Sequence, residues 1–143
     1  MQFRGTATDA RLHHVTMDHA TSTRCNIGPD EIARRRRSAL LATIATVIAA
    51  AVLVGALPPG PARLLIWPLA TATAVTWLQV VHRFCVAFGA LGIQNFGGLG
   101  RQVPVAPGQR AADRRRALQL IGEGALIGFV VSLALAVLPR VPA

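Results

Sequence analysis

Three long apolar segments dominate the pattern of hydrophobic and polar positions along the chain. Residues 38–57 form twenty consecutive positions without a charge, and residues 64–81 form eighteen. Residues 117–138 form twenty-two positions that include a single acid, Glu123. About 20 apolar residues cross the hydrocarbon core of a bilayer as a helix. The pattern therefore predicts an all-α integral membrane protein with three transmembrane helices at about these residues.

The start of the first helix is marked by local signals. Pro29 suits the first helical position, because its φ is already fixed and its missing N–H needs no partner there. Asp30 and Glu31 then lie at the positive end of the helix dipole. Each precedes an arginine by four residues, which favours the surface pairs Asp30–Arg34 and Glu31–Arg35. We expect the helix to continue from these charged first turns directly into the apolar segment. A cleaved export signal is the alternative, but its apolar core is only about 7–15 residues long.

The remaining residues form a tail, a short turn and a long connection. Residues 1–24 show no apolar period and predict a disordered polar tail, so residues 25–143 form a single membrane domain. The turn at residues 58–63 is short and predicts an antiparallel hairpin of the first two helices. The connection at residues 82–116 is polar, except for an apolar, glycine-containing stretch within residues 84–98 that is too short to cross a bilayer. We expect that stretch to lie in the headgroup region or to fold back beneath the helices.

The distribution of charge along the chain predicts how the three helices are oriented in the membrane. All 15 basic residues are arginines, and the formal net charge is +9. Seven arginines precede the first apolar segment and six lie in the long connection, whereas the short turn and the C-terminus hold one each. Because cytoplasmic loops carry the excess of basic residues, the sequence predicts a multi-pass protein of the inner (cell) membrane with a cytoplasmic N-terminus and an outside C-terminus. The arginine-rich face is expected to contact anionic lipid headgroups. No basic stripe with interleaved aromatic residues points to nucleic acid.

The two cysteines are the first candidates for chemistry. Cys25 precedes the first helix and Cys85 follows the second, so the hairpin places both on the cytoplasmic side, with His82 close to Cys85 in sequence. Three interpretations are open: packed small side chains, a reactive thiol site, or a metal site that includes His82. A stable disulfide is not expected on that side of the membrane. No phosphate loop or dinucleotide fingerprint occurs, so no cofactor, resident metal or catalytic residue is predicted.

The third apolar segment carries two further signals. Small residues recur at four-residue steps: Gly124, Gly128, Ser132 and Ala136. Such a face lets membrane helices approach closely, and its partner is either another helix of this chain or a second subunit. Glu123 is the only acid inside an apolar segment, where a charge is costly. It is expected to pair with Arg116 or Arg83, and the alternatives are an ion or solute pathway in an oligomer and a plain position at the membrane interface.

The sequence around the cysteines resembles a known family. "CNIGPDEIARRRR" leads into the first segment and "FCVAFGALGIQNFGG" follows the second. This arrangement resembles the YgaP-like small inner-membrane domains, a two-helix hairpin that occurs alone or fused behind a rhodanese domain. The matching positions are Asn26, Gly28, Glu31, Arg35 (or its neighbour Arg34), Cys85, Gly92 and Asn95. The resemblance covers about half of the chain, leaves the third segment outside, and meets Val86 where the family usually has proline. It implies handling of sulfur or thiols at the inner membrane.

These features together predict a small multi-pass membrane protein. We interpret it first as a non-enzymatic module that packs against itself or against a membrane-protein partner. A thiol site formed by Cys25 and Cys85, redox-active or sulfur-handling, is the first alternative. An oligomeric pathway that involves Glu123 is the second.

Overall fold

The computed structural model describes residues 25–97 and 102–139. The tail predicted to be disordered, residues 1–24, lies outside the described residues. The elements follow in this order: α1 (Pro29–Ala56), a 3₁₀-helix (Pro61–Ile66), α2 (Trp67–Val81), α3 (Val86–Leu91), β1 (Ile93–Gln94), β2 (Val103–Pro104) and α4 (Arg110–Val137).

Three helical stretches are long and apolar enough to cross a membrane. They are Pro29–Ala56, Pro61–Val81 and Arg110–Val137. Each contains one of the apolar segments of the sequence, so the mostly helical fold with three candidate spans is confirmed. The first and third helices begin several residues before their apolar segments, because the charged residues ahead of each segment continue the same helix.

The first turn of α1 follows the sequence signals only in part. α1 begins at Pro29, as predicted, and Gly28 precedes it in an extended conformation. Neither predicted i,i+4 pair forms, and that expectation was wrong. Arg34 Nη2 donates to Glu31 Oε2 at 2.9 Å, three residues back, and Arg35 turns away toward α2.

Helix α2 is central, because it packs against both α1 and α4. The chain reverses through the 3₁₀-helix after α1, so α1 and α2 form the antiparallel hairpin that the short turn predicts. The Gly60 N–H donates to the Ala136 carbonyl at 2.9 Å. The C-terminal ends of α1 and α4 therefore lie together, and α1 and α4 run in the same direction.

The small-residue face of α4 packs against α2 of the same chain. Its four residues are all buried: Gly124, Gly128, Ser132 and Ala136. A Cβ on Gly128 would lie 2.6 Å from the backbone nitrogen of Thr71, and one on Gly124 would lie 3.1 Å from that of Val75. Only glycine allows the two backbones to approach this closely. The structure thus assigns the partner that the sequence left open.

Side-chain hydrogen bonds join α1 to the opposite face of α2. The hydroxyls of Thr46 and Thr73 lie 2.7 Å apart, and Thr73 Oγ1 also donates to the Ala42 carbonyl at 3.2 Å. One turn nearer the start of α1, Trp77 Nε1 donates to Thr43 Oγ1 at 2.9 Å. Polar side chains of this kind link helices where water is absent.

Arg63 joins the C-terminal ends of α1 and α4. Its side chain is fully buried. It donates to the carbonyls of Val54 in α1 and of Leu57 directly after it, and to those of Leu135 in α4 and of Leu138 directly after it, at 2.5 to 3.2 Å. The last carbonyls of a helix lack intrahelical donors and carry partial negative charge. One guanidinium therefore caps two helices, a role that the arginine count alone did not suggest.

The connection after α2 folds onto the beginning of α4. Phe84 is buried with Ala117 and Leu120 of α4, and the short helix α3 packs on the same helix. Gly92 ends α3 in the left-handed region with φ 67°, where glycine carries no steric penalty. β1 then pairs antiparallel with β2. Over the described residues 84–97, the apolar stretch is thus a packed cap at the end of the bundle where α1 and α4 begin.

Candidate functional site

The side chain of Asn26 binds both backbone polar groups of Cys85. Asn26 Nδ2 donates to the Cys85 carbonyl at 3.0 Å, and Asn26 Oδ1 accepts from the Cys85 N–H at 2.6 Å. Both residues are buried. Buried backbone groups need hydrogen-bond partners, and at this point one side-chain amide supplies both.

Backbone pairing fixes the segment that carries Asn26. The Asn95 N–H donates to the Asn26 carbonyl at 2.9 Å, and the Gly28 N–H donates to the Asn95 carbonyl at 2.7 Å. A Cβ on Gly28 would lie 2.9 Å from the Phe96 carbonyl oxygen, so the close approach requires glycine. Asn95 is fully buried, and its backbone rather than its side chain makes these bonds.

Arg35 links α1 to α2 and to the sulfur of Cys85. Its Nη1 donates to Gln79 Oε1 at 2.9 Å, and its Nη2 donates to Cys85 Sγ at 2.8 Å. Gln79 Oε1 also accepts from the Val86 N–H at 3.2 Å. The guanidinium carbon lies 5.8 Å from the centroid of the Phe88 ring, within cation–π range. We refer to Asn26, Arg35, Gln79 and Cys85 as the Asn26–Cys85 cluster.

The sulfur of Cys85 has polar neighbours but is not accessible to solvent. Besides the bond from Arg35, it accepts from the Phe88 N–H at 3.4 Å. The residue is fully buried. A bond from a charged guanidinium is stronger than one between neutral groups. A thiol that reacts with other molecules must also be reached by them, and burial denies that access in this conformation.

The three residues of the predicted thiol site lie in different surroundings. Cys25 is half-buried and lines a groove between α1 and α2, of which Cys85 is not part. His82 Nδ1 lies 3.2 Å from Arg116 Nη2. Both cysteines are free. In residues 25–97 and 102–139, no hydrogen bond joins the three, and no three His, Cys, Asp or Glu side chains gather as a metal site would require.

The positions that carried the family resemblance mostly converge. Asn26, Gly28, Cys85 and Asn95 meet through the bonds given above, and Arg35 completes the group. Gly92 lies at the end of α3 beside the side chain of Arg110, and Glu31 is buried against Arg34. Spacing alone did not predict this convergence, because the contacts span some fifty to seventy residues of sequence.

Two important residues were missed by the sequence analysis. Gln79 completes the Asn26–Cys85 cluster, and its signal was a lone amide in the apolar run "TWLQVV". Arg63 caps two helices, and its signal was a single arginine in a turn otherwise rich in Pro and Gly. In both cases an isolated polar residue next to apolar sequence marked a buried polar group that had to find partners.

Glu123 does not form the predicted ion pair. It is exposed on α4, and in the part of the chain that the structure describes, the one ion pair is Glu31–Arg34. Arg116 lies two turns earlier, about 10 Å along the helix axis, and its guanidinium turns to His82 instead. The expected pairing with Arg116 or Arg83 was therefore wrong. The oligomeric pathway stays a prediction.

Comparison with family models, with curated proteins and with solved structures finds no match to this chain. The resemblance to YgaP-like domains therefore stays a prediction. The functional interpretation depends on the geometry of the chain itself.

Proposed function

We propose that this chain is a non-enzymatic module of the inner (cell) membrane, with three transmembrane helices, a cytoplasmic N-terminus and an outside C-terminus. One observation carries the proposal. The polar side chains best suited to chemistry, those of the Asn26–Cys85 cluster, are used to hold backbone and helices in place. The module presents outward apolar faces to lipid or to a partner helix, and an arginine-rich end to the cytoplasm.

The distribution of exposed charge supports this orientation. Seven arginines of the described residues are exposed: Arg34, Arg36, Arg37, Arg83, Arg110, Arg114 and Arg115. All seven lie at the end where α1 and α4 begin. At the opposite end Arg63 is buried and bonded to carbonyls. The end rich in exposed arginine is the one that the positive-inside rule assigns to the cytoplasm.

Labelling of the native cysteines tests both parts of the proposal. Cys85→Ser leaves Cys25 as the only thiol, and Cys25→Ser leaves Cys85. With a membrane-impermeant maleimide, we expect Cys25 to react in inverted vesicles but not in sealed right-side-out cells. Cys85 should react only after denaturation in detergent. Labelling of Cys25 from outside would overturn the orientation, and rapid labelling of Cys85 in folded vesicles would overturn its structural role.

A thiol site at Cys85 is the second candidate, favoured by the 2.8 Å bond from Arg35 Nη2 to its sulfur. This function requires the cluster to open. Exposure of folded Cys25→Ser vesicles to a mild oxidant, followed by denaturation, would then block labelling of Cys85, and a reductant would restore it. Undiminished labelling after the oxidant would leave Cys85 as a packing residue.

A further inference from the structure

A groove between α1 and the end of α2 has both charged and apolar lining residues. Its volume is about 1100 Å³. Three arginines line it, namely Arg36, Arg37 and Arg83, and no acid does. The apolar lining includes Leu40 and Val81 in the apolar segments, and Ile32 and Phe96 nearer the start of α1. We propose that this α1–α2 groove binds an anionic phospholipid, with the phosphate on the arginines and an acyl chain against the apolar wall.

The order of residues along both walls matches that of a phospholipid. On α1, Arg36 and Arg37 come immediately before the apolar segment, and Leu40 lies one turn into it. On α2, Val80 and Val81 end the apolar segment, and the chain then reaches Arg83. Beyond the arginines, both walls therefore continue as apolar surface. A phospholipid has this order, with a phosphate at the interface and hydrocarbon below it.

Within the described residues, no acid pairs with the charges of the groove. In the described ranges the one acid–arginine pair is Glu31–Arg34, which leaves the guanidinium groups of Arg36, Arg37 and Arg83 without an acid. A guanidinium matches phosphate oxygens with two parallel hydrogen bonds. Basic pockets between helices on the cytoplasmic side bind anionic headgroups by this chemistry.

The apolar wall is exposed enough to need a cover. Val81 is 70% exposed and Leu40 is 49% exposed. Bulk lipid covers such residues at the outer surface of any membrane helix. In this groove, which also holds three arginines, one anionic lipid can cover Leu40 and Val81 with its acyl chain and bind the arginines with its phosphate.

The Asn26–Cys85 cluster fixes the position of Arg83. The Arg83 carbonyl accepts from the Asn26 N–H at 3.2 Å. Arg83 has φ 50°, a left-handed conformation that residues other than glycine rarely adopt without support from surrounding structure. The Asn26–Cys85 cluster and the α1–α2 groove are thus neighbours, and the cluster positions Arg83 in the groove.

This inference rests on the proposed membrane insertion and orientation. It also goes beyond the general attraction of arginines to anionic headgroups, since it assigns the lipid to one place. The same end of the bundle offers an internal control. Three arginines, Arg110, Arg114 and Arg115, line a smaller cavity of about 520 Å³ beside α3. Removal of Arg114 and Arg115 therefore subtracts the same charge at a different place.

The test measures binding of phosphatidylglycerol and phosphatidylcholine to the purified full chain by native mass spectrometry. We expect a clear preference for phosphatidylglycerol, and a loss of about thirtyfold in Arg36→Gln/Arg37→Gln. Ala33→Trp, which fills the groove without changing charge, should weaken binding comparably. Arg114→Gln/Arg115→Gln should change it less than about twofold, and excess inorganic phosphate should not compete with the lipid.

The outcomes separate this site from its alternatives. Equal losses in the two arginine double variants would overturn the site in favour of diffuse attraction. Absence of a preference for phosphatidylglycerol, or displacement by inorganic phosphate, would overturn the choice of a lipid. If the cysteine labelling confirms insertion and orientation while either result occurs, the inference fails and the proposed function stands. If labelling contradicts the orientation, the proposed function fails first.

Discussion

The two faces of α2 are held to their neighbours by different means. On one face, Gly124 and Gly128 bring the backbone of α4 against that of α2. On the other, Thr46, Thr73 and Trp77 take part in side-chain hydrogen bonds between α1 and α2. The first contact depends on steric fit and the second on polar groups. Both are recognised ways to join helices in a membrane.

The difference teaches what a sequence pattern can reveal. A small-residue face belongs to one helix and repeats at fixed steps, so it is visible before the partner is known. A hydrogen bond between helices needs two residues at matching heights on separate segments, and neither threonine is unusual alone. The difference also bears on function. α2 packs against both α1 and α4, whereas α1 packs against α2 and the 3₁₀-helix, so α1 is the less tightly held wall of the α1–α2 groove.

The steric contact should be the more sensitive of the two. Gly128→Leu would place a side chain where Thr71 leaves no space, and α4 would have to separate from α2. We expect a loss of about 3 kcal/mol in the free energy of unfolding, measured by reversible unfolding in mixed micelles. Because the contact lies within one chain, the variant should destabilise the single chain rather than only an assembly of several.

Gly122→Leu is the matched control for this substitution. A Cβ on Gly122 of the same helix meets no atom within 4 Å, so that variant should be neutral or slightly stabilised by the better helix propensity of leucine. Equal losses in the two variants would contradict the assignment of the stripe to α2.

Loss of the Arg63 cap at the C-terminal ends of α1 and α4 should have the second largest effect on stability. Arg63→Met removes the donors that cap α1 and α4 and leaves their last carbonyls without a charged partner. We expect a loss of about 2 kcal/mol, measured by the same unfolding equilibrium. Arg63→Lys should recover part of it, because the charge remains but the planar fork does not. If Arg63→Met matched the wild-type stability, water or lipid would have to satisfy these carbonyls.

Removal of the hydrogen bond between Thr46 and Thr73 should have the smallest of the three effects on stability. A double-mutant cycle of Thr46→Val and Thr73→Val should give a coupling energy of about 0.6 kcal/mol. The hydroxyl of Thr76 bonds only the Ala72 carbonyl of its own helix, so Thr46→Val and Thr76→Val should show no coupling. A coupling energy larger than the loss in Gly128→Leu would reverse the ranking of the two faces.

The Asn26–Cys85 cluster shows the same limit of sequence patterns. The resemblance included Asn26, Arg35 and Cys85, but it did not indicate that Asn26 binds the backbone N–H and carbonyl of Cys85. Gln79 was missing from that set, and the predicted thiol site instead included His82, whose ring lies beside Arg116. Adjacency in the chain suggested His82, whereas packing of α1 on α2 selected Gln79.

The sequence alone determined the three apolar helices, the beginning of α1 at Pro29, the hairpin, and a face of α4 suited to close packing. These features depend on local hydropathy and on backbone hydrogen bonds that each helix satisfies within itself. Only the tertiary structure decided that α2 receives this face, that Arg63 caps two helices, that Glu123 is left without the predicted partner, and that three arginines share one groove with apolar residues. Those features arise where distant segments meet, and the free energy of each contact belongs to the pair of segments rather than to either one.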